Sequence, residues 1–245
     1  MPRIPQPVRK AWKSANKSLR LAVATKTPEW LRRRLGPAGL HFDMLFIDHG
    51  VLRLMYLNRH TLGPEAQRAA QPSPGQIRAM AREGIRTVVN LRGPRFCGSY
   101  VLERKACAEA GLNFVDHQLR SRAAPTRDEI RGVRDLLDKL EYPILVHCKS
   151  GADRAGLMSV LYRHFRMGEP IETARRELSW KFGHVRNADT GVLDAFFERY
   201  LTDNAKRPMP FMEWVETVYD ADELKSSFHA NTWANRLVNG VLRRE

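Results

Sequence analysis

The chain has 245 residues, 43% of them hydrophobic, which suits one domain with extensions and excludes collagen-like, disordered and membrane-bundle chains. Its formal net charge of +14 favours anionic partners: phosphorylated substrates, an acidic membrane surface or nucleic acid. Three cysteines, at 97, 107 and 148, with no C-x-x-C pair, argue against a disulfide framework or zinc ribbon and fit a reducing cytoplasm.

Residues 1–38 carry ten Lys or Arg and one acidic residue, Glu29. Val8, Trp12, Leu19 and Leu21 alternate with Lys10, Lys13, Lys17 and Arg20, and Trp30 to Leu35 repeats that chemistry. Such an arm can lie on an anionic bilayer, at the inner face of a membrane. Its bland alternative is a solvated arm on the domain. The most apolar stretch, Phe42 to Leu57, is broken by Asp43, Asp48, His49 and Arg53 and predicts no membrane span. His41, His49, Asp43 and Asp48 lack a metal-ligand spacing, so no metal or other cofactor is expected.

From about residue 42 the pattern turns globular. Val51 to Tyr56 reads as a strand. Ser73 and Pro74 open a helix that Gly84 ends. Arg86 to Arg92 is a short β-branched run and predicts a buried strand. Ser99 to Ala110 reads as a helix stopped by Gly111, and Asn113 to Leu119 as the next strand. Thr126-Arg127-Asp128-Glu129 is a capping box. It starts a helix whose Ile130, Val133, Leu136, Leu137 and Leu140 form one stripe. Tyr142 to His147 is another apolar strand, and a helix runs from near Arg154 to Arg166 or Met167. Strands alternating with helices predict an α/β fold with a mainly parallel central sheet. After Gly168 helices are expected at 170–178, 190–204, 210–219 and within 221–243. The chain thus divides into a basic arm (1–40), a main domain (41–205) and a helical C-terminal extension (206–245).

The chemistry concentrates in His147-Cys148-Lys149-Ser150-Gly151-Ala152-Asp153-Arg154. An apolar strand precedes Cys148, Gly151 lies within the loop, and a helix follows Arg154. A strand-loop-helix turn can aim the amides of Lys149 through Arg154 at one anion, and the helix N-terminus adds positive potential. Arg154 can grip two phosphate oxygens at once, which a lysine cannot. The same field favours Cys148 as a thiolate, able to attack phosphorus in line. Neither Cys97 nor Cys107 has an arginine at that spacing. Cys107 reads as a core residue. Cys97, in a loop, is a candidate disulfide partner for Cys148 under oxidation. Arg92, Arg95 and Arg120 sit at strand ends that could converge on the pocket, and Trp180 to His184 could pack beside its helix.

This loop resembles the H-C-x5-R signature of protein tyrosine and dual-specificity phosphatases. Gly84 to Arg92 and Arg68 to Pro74 look like the atypical dual-specificity group, and the likeness covers roughly residues 50 to 170. It implies a dual-specificity phosphatase-like fold, phosphomonoester hydrolysis through a cysteinyl-phosphate, and no metal. By position, Cys148 would be the nucleophile, Arg154 the phosphate clamp, and His147 a support for the loop and thiolate. The general acid would be Asp116, which lies 32 residues before Cys148. Asp153 is an alternative, because an aspartate before the loop arginine occurs in myotubularin-like phosphatases, and Asp128 is another. Lys149 could favour multiply phosphorylated or lipid substrates. The family usually has Ser or Thr after the arginine; here Ala155 stands there, which predicts slow hydrolysis of the phosphoenzyme. Substrates would be phosphoproteins or phospholipids, lipid A included. The rivals are a non-catalytic phosphate-binding pseudophosphatase, and a nucleic-acid binder, for which no motif is present.

Overall fold

In a computed structural model, which describes residues 38–48, 50–95 and 97–228, five strands form one sheet. They are β1 (His60–Gly63), β2 (Ala66–Ala70), β3 (Thr87–Asn90), β4 (Asn113–Asp116) and β5 (Ile144–Cys148), in the order β1-β2-β5-β3-β4. Only β1 runs antiparallel, against β2; the β2–β5, β5–β3 and β3–β4 pairs are parallel. The mainly parallel α/β sheet is therefore as expected. Parallel strands put their carboxyl ends on one edge, where α/β sheets build their sites. Ala70, Cys148, Asn90 and Asp116 all end there.

Helices cover both faces, as parallel sheets require. They are α1 (Gly50–Met55), α2 (Pro74–Arg82), α3 (Gly98–Glu109), α4 (Arg127–Leu137), α5 (Asp153–Met167), α6 (Ile171–Ala174), α7 (Val192–Lys206), α8 (Phe211–Thr217) and α9 (Ala221–Ser227). Ser73 and Thr126 both close capping boxes, at the heads of α2 and α4. Alternation along the central strand sorts the faces. Ile144, Val146 and Cys148 join the large core formed with α4, α5 and α7. Leu145 points the other way, into a smaller core with Ile77 and Met80 of α2 and Ala106 and Cys107 of α3. His147, two residues on from Leu145, faces that same side.

Val51 to Tyr56 is not a strand: Gly50–Met55 is helical. Val51, Leu54 and Met55 recur at helical spacing and remain exposed, and the buried Arg53 is bound to Asp48. β1 and β2, not assigned from the sequence, complete the sheet instead. The segment 170–178 is also broken: α6 spans only Ile171–Ala174 and a 3-10 turn, Arg175–Glu177, follows it. Phe211 and Trp214 of α8, Tyr219, and Leu224 of α9 enter the large core directly. Arg127 donates to the Tyr219 carbonyl at 2.6 Å, and the Tyr219 hydroxyl to that of Pro125 at 2.8 Å. The arm, residues 1–37, His49 and residues 229–245 lie outside the described residues. No helix among the described residues is long and apolar enough to cross a membrane.

Candidate active site

Cys148 ends the central strand and is 2% exposed. The chain turns through residues 149–152 and enters α5 at Asp153. Gly151 has φ +74, and a Cβ there would lie 2.7 Å from the backbone of Ala69 and Ala70. Only glycine lets the loop press this closely on β2.

Four consecutive loop carbonyls are each held from outside. Lys149 O accepts from Gln71 N at 3.4 Å. Ser150 O accepts from Asn58 Nδ2 at 2.9 Å. Gly151 O and Ala152 O accept from one nitrogen of Arg68, Nη2, at 2.8 and 2.9 Å. In a trans peptide the C=O and N–H point in opposite directions. Anchoring these carbonyls therefore turns the amides of Ser150, Gly151, Ala152 and Asp153 the other way. At the head of the 15-residue α5, such amides form an anion cradle. Asn58 adopts φ +50, which asparagine tolerates, and its Nδ2 also donates to Phe182 O at 2.8 Å. One side chain thus ties the loop to the 180–184 segment.

Arg154, the second residue of α5, is buried. Asp153 before it is held by His184, whose Nδ1 lies 2.7 Å from Asp153 Oδ1 and whose Nε2 lies 2.6 Å from Asp194 Oδ2 on α7. Burial opposes charge on this ring, but hydrogen bonds and attraction from the two carboxylates outweigh it and raise His184 to about 9. Both nitrogens then donate, and the clamp fixes the start of α5. The folded-state value lies above the ordinary one, so this stabilisation is complete below the ordinary histidine range and is lost as pH rises through about 9. His184→Gln leaves the buried Asp153 and the part-buried Asp194 short of a partner and should cost about 3 kcal/mol. Unfolding followed across alkaline pH should show wild type losing that margin and the variant not.

Behind the loop runs a buried polar chain. His147 Nε2 lies 2.7 Å from Glu103 Oε1 of α3, an ion-pair distance without hydrogen-bond alignment. Glu103 Oε2 accepts from Gln71 Nε2 at 2.6 Å, and Gln71 Oε1 accepts from Arg92. Arg92 forks onto both oxygens of Asp48 at 2.8 and 3.0 Å, and Arg53 adds a contact at 3.2 Å. Asp48 is buried, which alone would raise it, but Arg92 and Arg53 hold it far below the usual carboxylate range. Lys149 Nζ stands 3.8 Å from Asp48 Oδ1. Arg92 and Lys149 therefore do meet beside the loop. Arg120 does not join them: it pairs with Glu129 at the head of α4, 2.7 Å away. Arg95 bonds the Arg92 carbonyl at 3.3 Å.

Asp116 sits at the carboxyl end of β4, in register with Asn90, which is in register with His147. Its oxygens accept from Asn90 Nδ2 at 2.7 Å and from the Tyr100 hydroxyl at 2.6 Å. Burial, then Asp116 itself, pushes the Tyr100 phenol up, so it stays a donor. Asp128 is exposed in the first turn of α4 and pairs with Arg131 at 2.8 Å. All three cysteines are free thiols. Burial raises Cys107 to about 12, and burial with Asp48 raises Cys97, so neither is an activated nucleophile. No cluster of metal-ligating side chains occurs among the described residues.

Asn58, Glu103 and Asp194 carry no local signal of their place at the loop, and Arg68 and Gln71 stand out only within the Arg68 to Pro74 likeness. One signal was available: a lone arginine in Ala66-Gln67-Arg68-Ala69-Ala70, where a surface strand would carry more polar residues.

Residues 64–192 match the family model described as DSP-PTPase phosphatase fused to NAD+ kinase. The dual specificity protein phosphatase CDC14C of Symphalangus syndactylus is 26% identical over 106 residues, 42% of this chain. The chain spans 20% of the length of that curated relative. Among solved structures, P. aeruginosa TpbA is 20% identical, covering 70% of this chain and 90% of that one, with a TM-score of 0.47. PTPMT1 is 18% identical, covering 61% and 99%, with a TM-score of 0.44. The match to the family model takes in β2 through the start of α7, including the Cys148 loop with its Arg68, Gln71 and His184 braces, and the chain belongs to this dual-specificity and tyrosine phosphatase family.

Proposed function

We propose that the chain hydrolyses phosphomonoesters through a cysteinyl-phosphate on Cys148. The observation that carries this reading is the outward anchoring of four consecutive loop carbonyls beside that cysteine. The inward amides and Arg154 would hold the phosphoryl oxygens while the thiolate attacks phosphorus. The P–O bond to the leaving group breaks, and that oxygen takes a proton from an acid. Water then attacks the cysteinyl-phosphate, releasing phosphate and the thiolate. No metal enters this scheme.

Asp116 is the acid we favour. Asp153 is committed to His184, and Asp128 to Arg131 at the surface. Asp116 stands on the same carboxyl edge of the sheet as Cys148, two strands from β5, about 10 Å. Asn90 and Tyr100 would orient it. Asp116→Asn should slow hydrolysis of phenyl phosphate far more than that of p-nitrophenyl phosphate, whose leaving group needs little protonation. Equal losses on both would count against Asp116.

Ala155 offers no hydroxyl to the departing thiolate, so the phosphoenzyme should accumulate. Rapid mixing with p-nitrophenyl phosphate should give a burst near one equivalent of nitrophenol. Ala155→Ser should remove the burst and raise the steady rate on the order of tenfold.

A second reading concerns where the phosphate is carried. Phe42, Leu54, Met55 and Tyr56 are exposed apolar side chains that follow the basic arm. The Tyr56 hydroxyl donates to Asn58, itself bound to the loop. Cations and exposed apolar groups beside a phosphate site favour a lipid phosphate at an anionic surface, with the protein peripheral on the cytoplasmic side. Phosphatidylcholine vesicles with and without phosphatidylserine test this. The full chain should sediment with the anionic vesicles, and a chain lacking residues 1–38 should not.

A further inference from the structure

Arg68 lies on β2 and is fully buried. Its register partner on β5 is Val146, so it faces the α5 side of the sheet, the face that also holds Cys148. Gly156 of α5 packs beside it: a Cβ there would stand 2.7 Å from Leu178 Cδ2, 3.2 Å from Glu177 O and 3.4 Å from Arg68 Nη2. A buried guanidinium must find acceptors for its donors. Nη2 gives both of its hydrogen bonds to Gly151 O and Ala152 O. Nη1 donates to Glu177 O at 2.7 Å and to Glu177 Oε2 at 2.9 Å. The group lies 4.1 Å over the Phe182 ring, a favourable seat for a cation.

The charge balance is uneven. Glu177 is shared, because Arg163 Nε also binds its Oε1, at 2.7 Å. Arg163 also pairs with Glu169, at 3.2 Å, whereas the ion pair of Arg68 is with the shared Glu177. Burial lowers Arg68 from the ordinary arginine value, and Glu177, then Cys148, work against that. Arginine stays protonated even when buried, so this charge is permanent.

We infer that Arg68 is a positioning residue of the phosphate loop, turning the Gly151 and Ala152 carbonyls outward and keeping a fixed positive charge behind the Cys148 thiolate. It never touches substrate. Its two effects separate by chemistry. The fork sets the direction of the Gly151 carbonyl, hence of the Ala152 amide, and adds to the hold that Gly156 N, at 2.8 Å, already has on the Ala152 carbonyl, hence the fit to a phosphate. The charge sets how readily Cys148 reacts as a thiolate. A lysine keeps the second and loses the first, since one ammonium cannot serve four acceptors in the fork's geometry.

The inference rests on Cys148 being the nucleophile, and the test keeps the two apart. Arg68→Lys and Arg68→Met are compared with wild type in three assays: thermal unfolding, stabilisation by orthovanadate, and alkylation of Cys148 by iodoacetamide at about pH 6. The Cys148→Ser chain supplies the background for Cys97 and Cys107. Arg68→Met should slow alkylation about tenfold, the scale of removing one nearby opposite charge. It should also lower kcat/KM for p-nitrophenyl phosphate about 10²-fold, as for a lost preorganised donor. Arg68→Lys should alkylate within about threefold of wild type yet bind vanadate at least tenfold more weakly. Should Arg68→Met fail to fold because Glu177 is stranded, Arg68→Met/Glu177→Gln removes both charges and takes its place. Variants that lose thermal stability while alkylation and vanadate binding stay at wild-type values would overturn the inference and leave Arg68 a structural residue. If Cys148→Ser itself retains turnover, the catalytic reading fails instead.

Discussion

Cys148→Ser is expected to abolish turnover of p-nitrophenyl phosphate, with a loss of at least about 10⁴-fold in kcat, the scale seen when a covalent nucleophile is removed. A serine hydroxyl at this position would need a base to take its proton. His147 points to the opposite face of the sheet, toward Glu103, and cannot take the proton. In the proposed scheme the nucleophile attacks as a thiolate, and a serine hydroxyl is a far weaker nucleophile unless a base takes its proton. The substitution should leave the loop intact, because its carbonyl anchors come from Asn58, Arg68 and Gln71 and none involves the sulfur. Orthovanadate should therefore still stabilise the variant, and its unfolding temperature should stay within a few degrees of wild type. Residual turnover above about one part in a hundred would exclude Cys148 as nucleophile.

Arg154→Lys is expected to lower kcat/KM about 10³-fold while keeping the fold. The charge at the head of α5 is conserved, so folding loses little. Two parallel N–H bonds to the phosphoryl oxygens become one point contact. As the phosphoryl group flattens in the transition state, its equatorial oxygens spread, and a planar fork follows them better than an ammonium. The loss should fall on kcat as well as KM. A change confined to KM would mean that Arg154 binds ground state and transition state alike. Placement supports the prediction: Arg154 is buried one residue after Asp153, which His184, itself bound to Asp194, holds in place.

Local signals carried much of the fold. Ser73 and Thr126 were readable as caps because a capping box is complete within four residues. Thr87-Val88-Val89 reads as a strand because β-branched residues suit a pleated surface. The setting of Cys148 was readable for the same reason: Ile144, Leu145 and Val146 mark a strand, and the apolar run after Arg154 marks a helix. β2 was not readable. Ala66-Gln67-Arg68-Ala69-Ala70 has no strand propensity, and parallel pairing with β5 makes it a strand. Val51 to Tyr56 misled because a short apolar run fits either period, and only its helical geometry next to Asp48 decides.

The braces around the loop lie beyond any local pattern. Arg68 is 83 positions from Gly151, and Asn58 is 92 from Ser150. His184 is 31 from Asp153. Spacing along a chain describes directions within one helix or strand, and says nothing about which residues a crossover brings together. The chain alone therefore marked the phosphate loop, its nucleophile and clamp as candidates, and the alternation of strands and helices around them. The folded molecule alone determined that Asp153 is occupied by His184, that Asp116 is held by Asn90 and Tyr100, and that the loop carbonyls turn outward. Those outcomes depend on hydrogen bonds between strands and helices far apart in sequence, which exist only once the sheet has closed around β5.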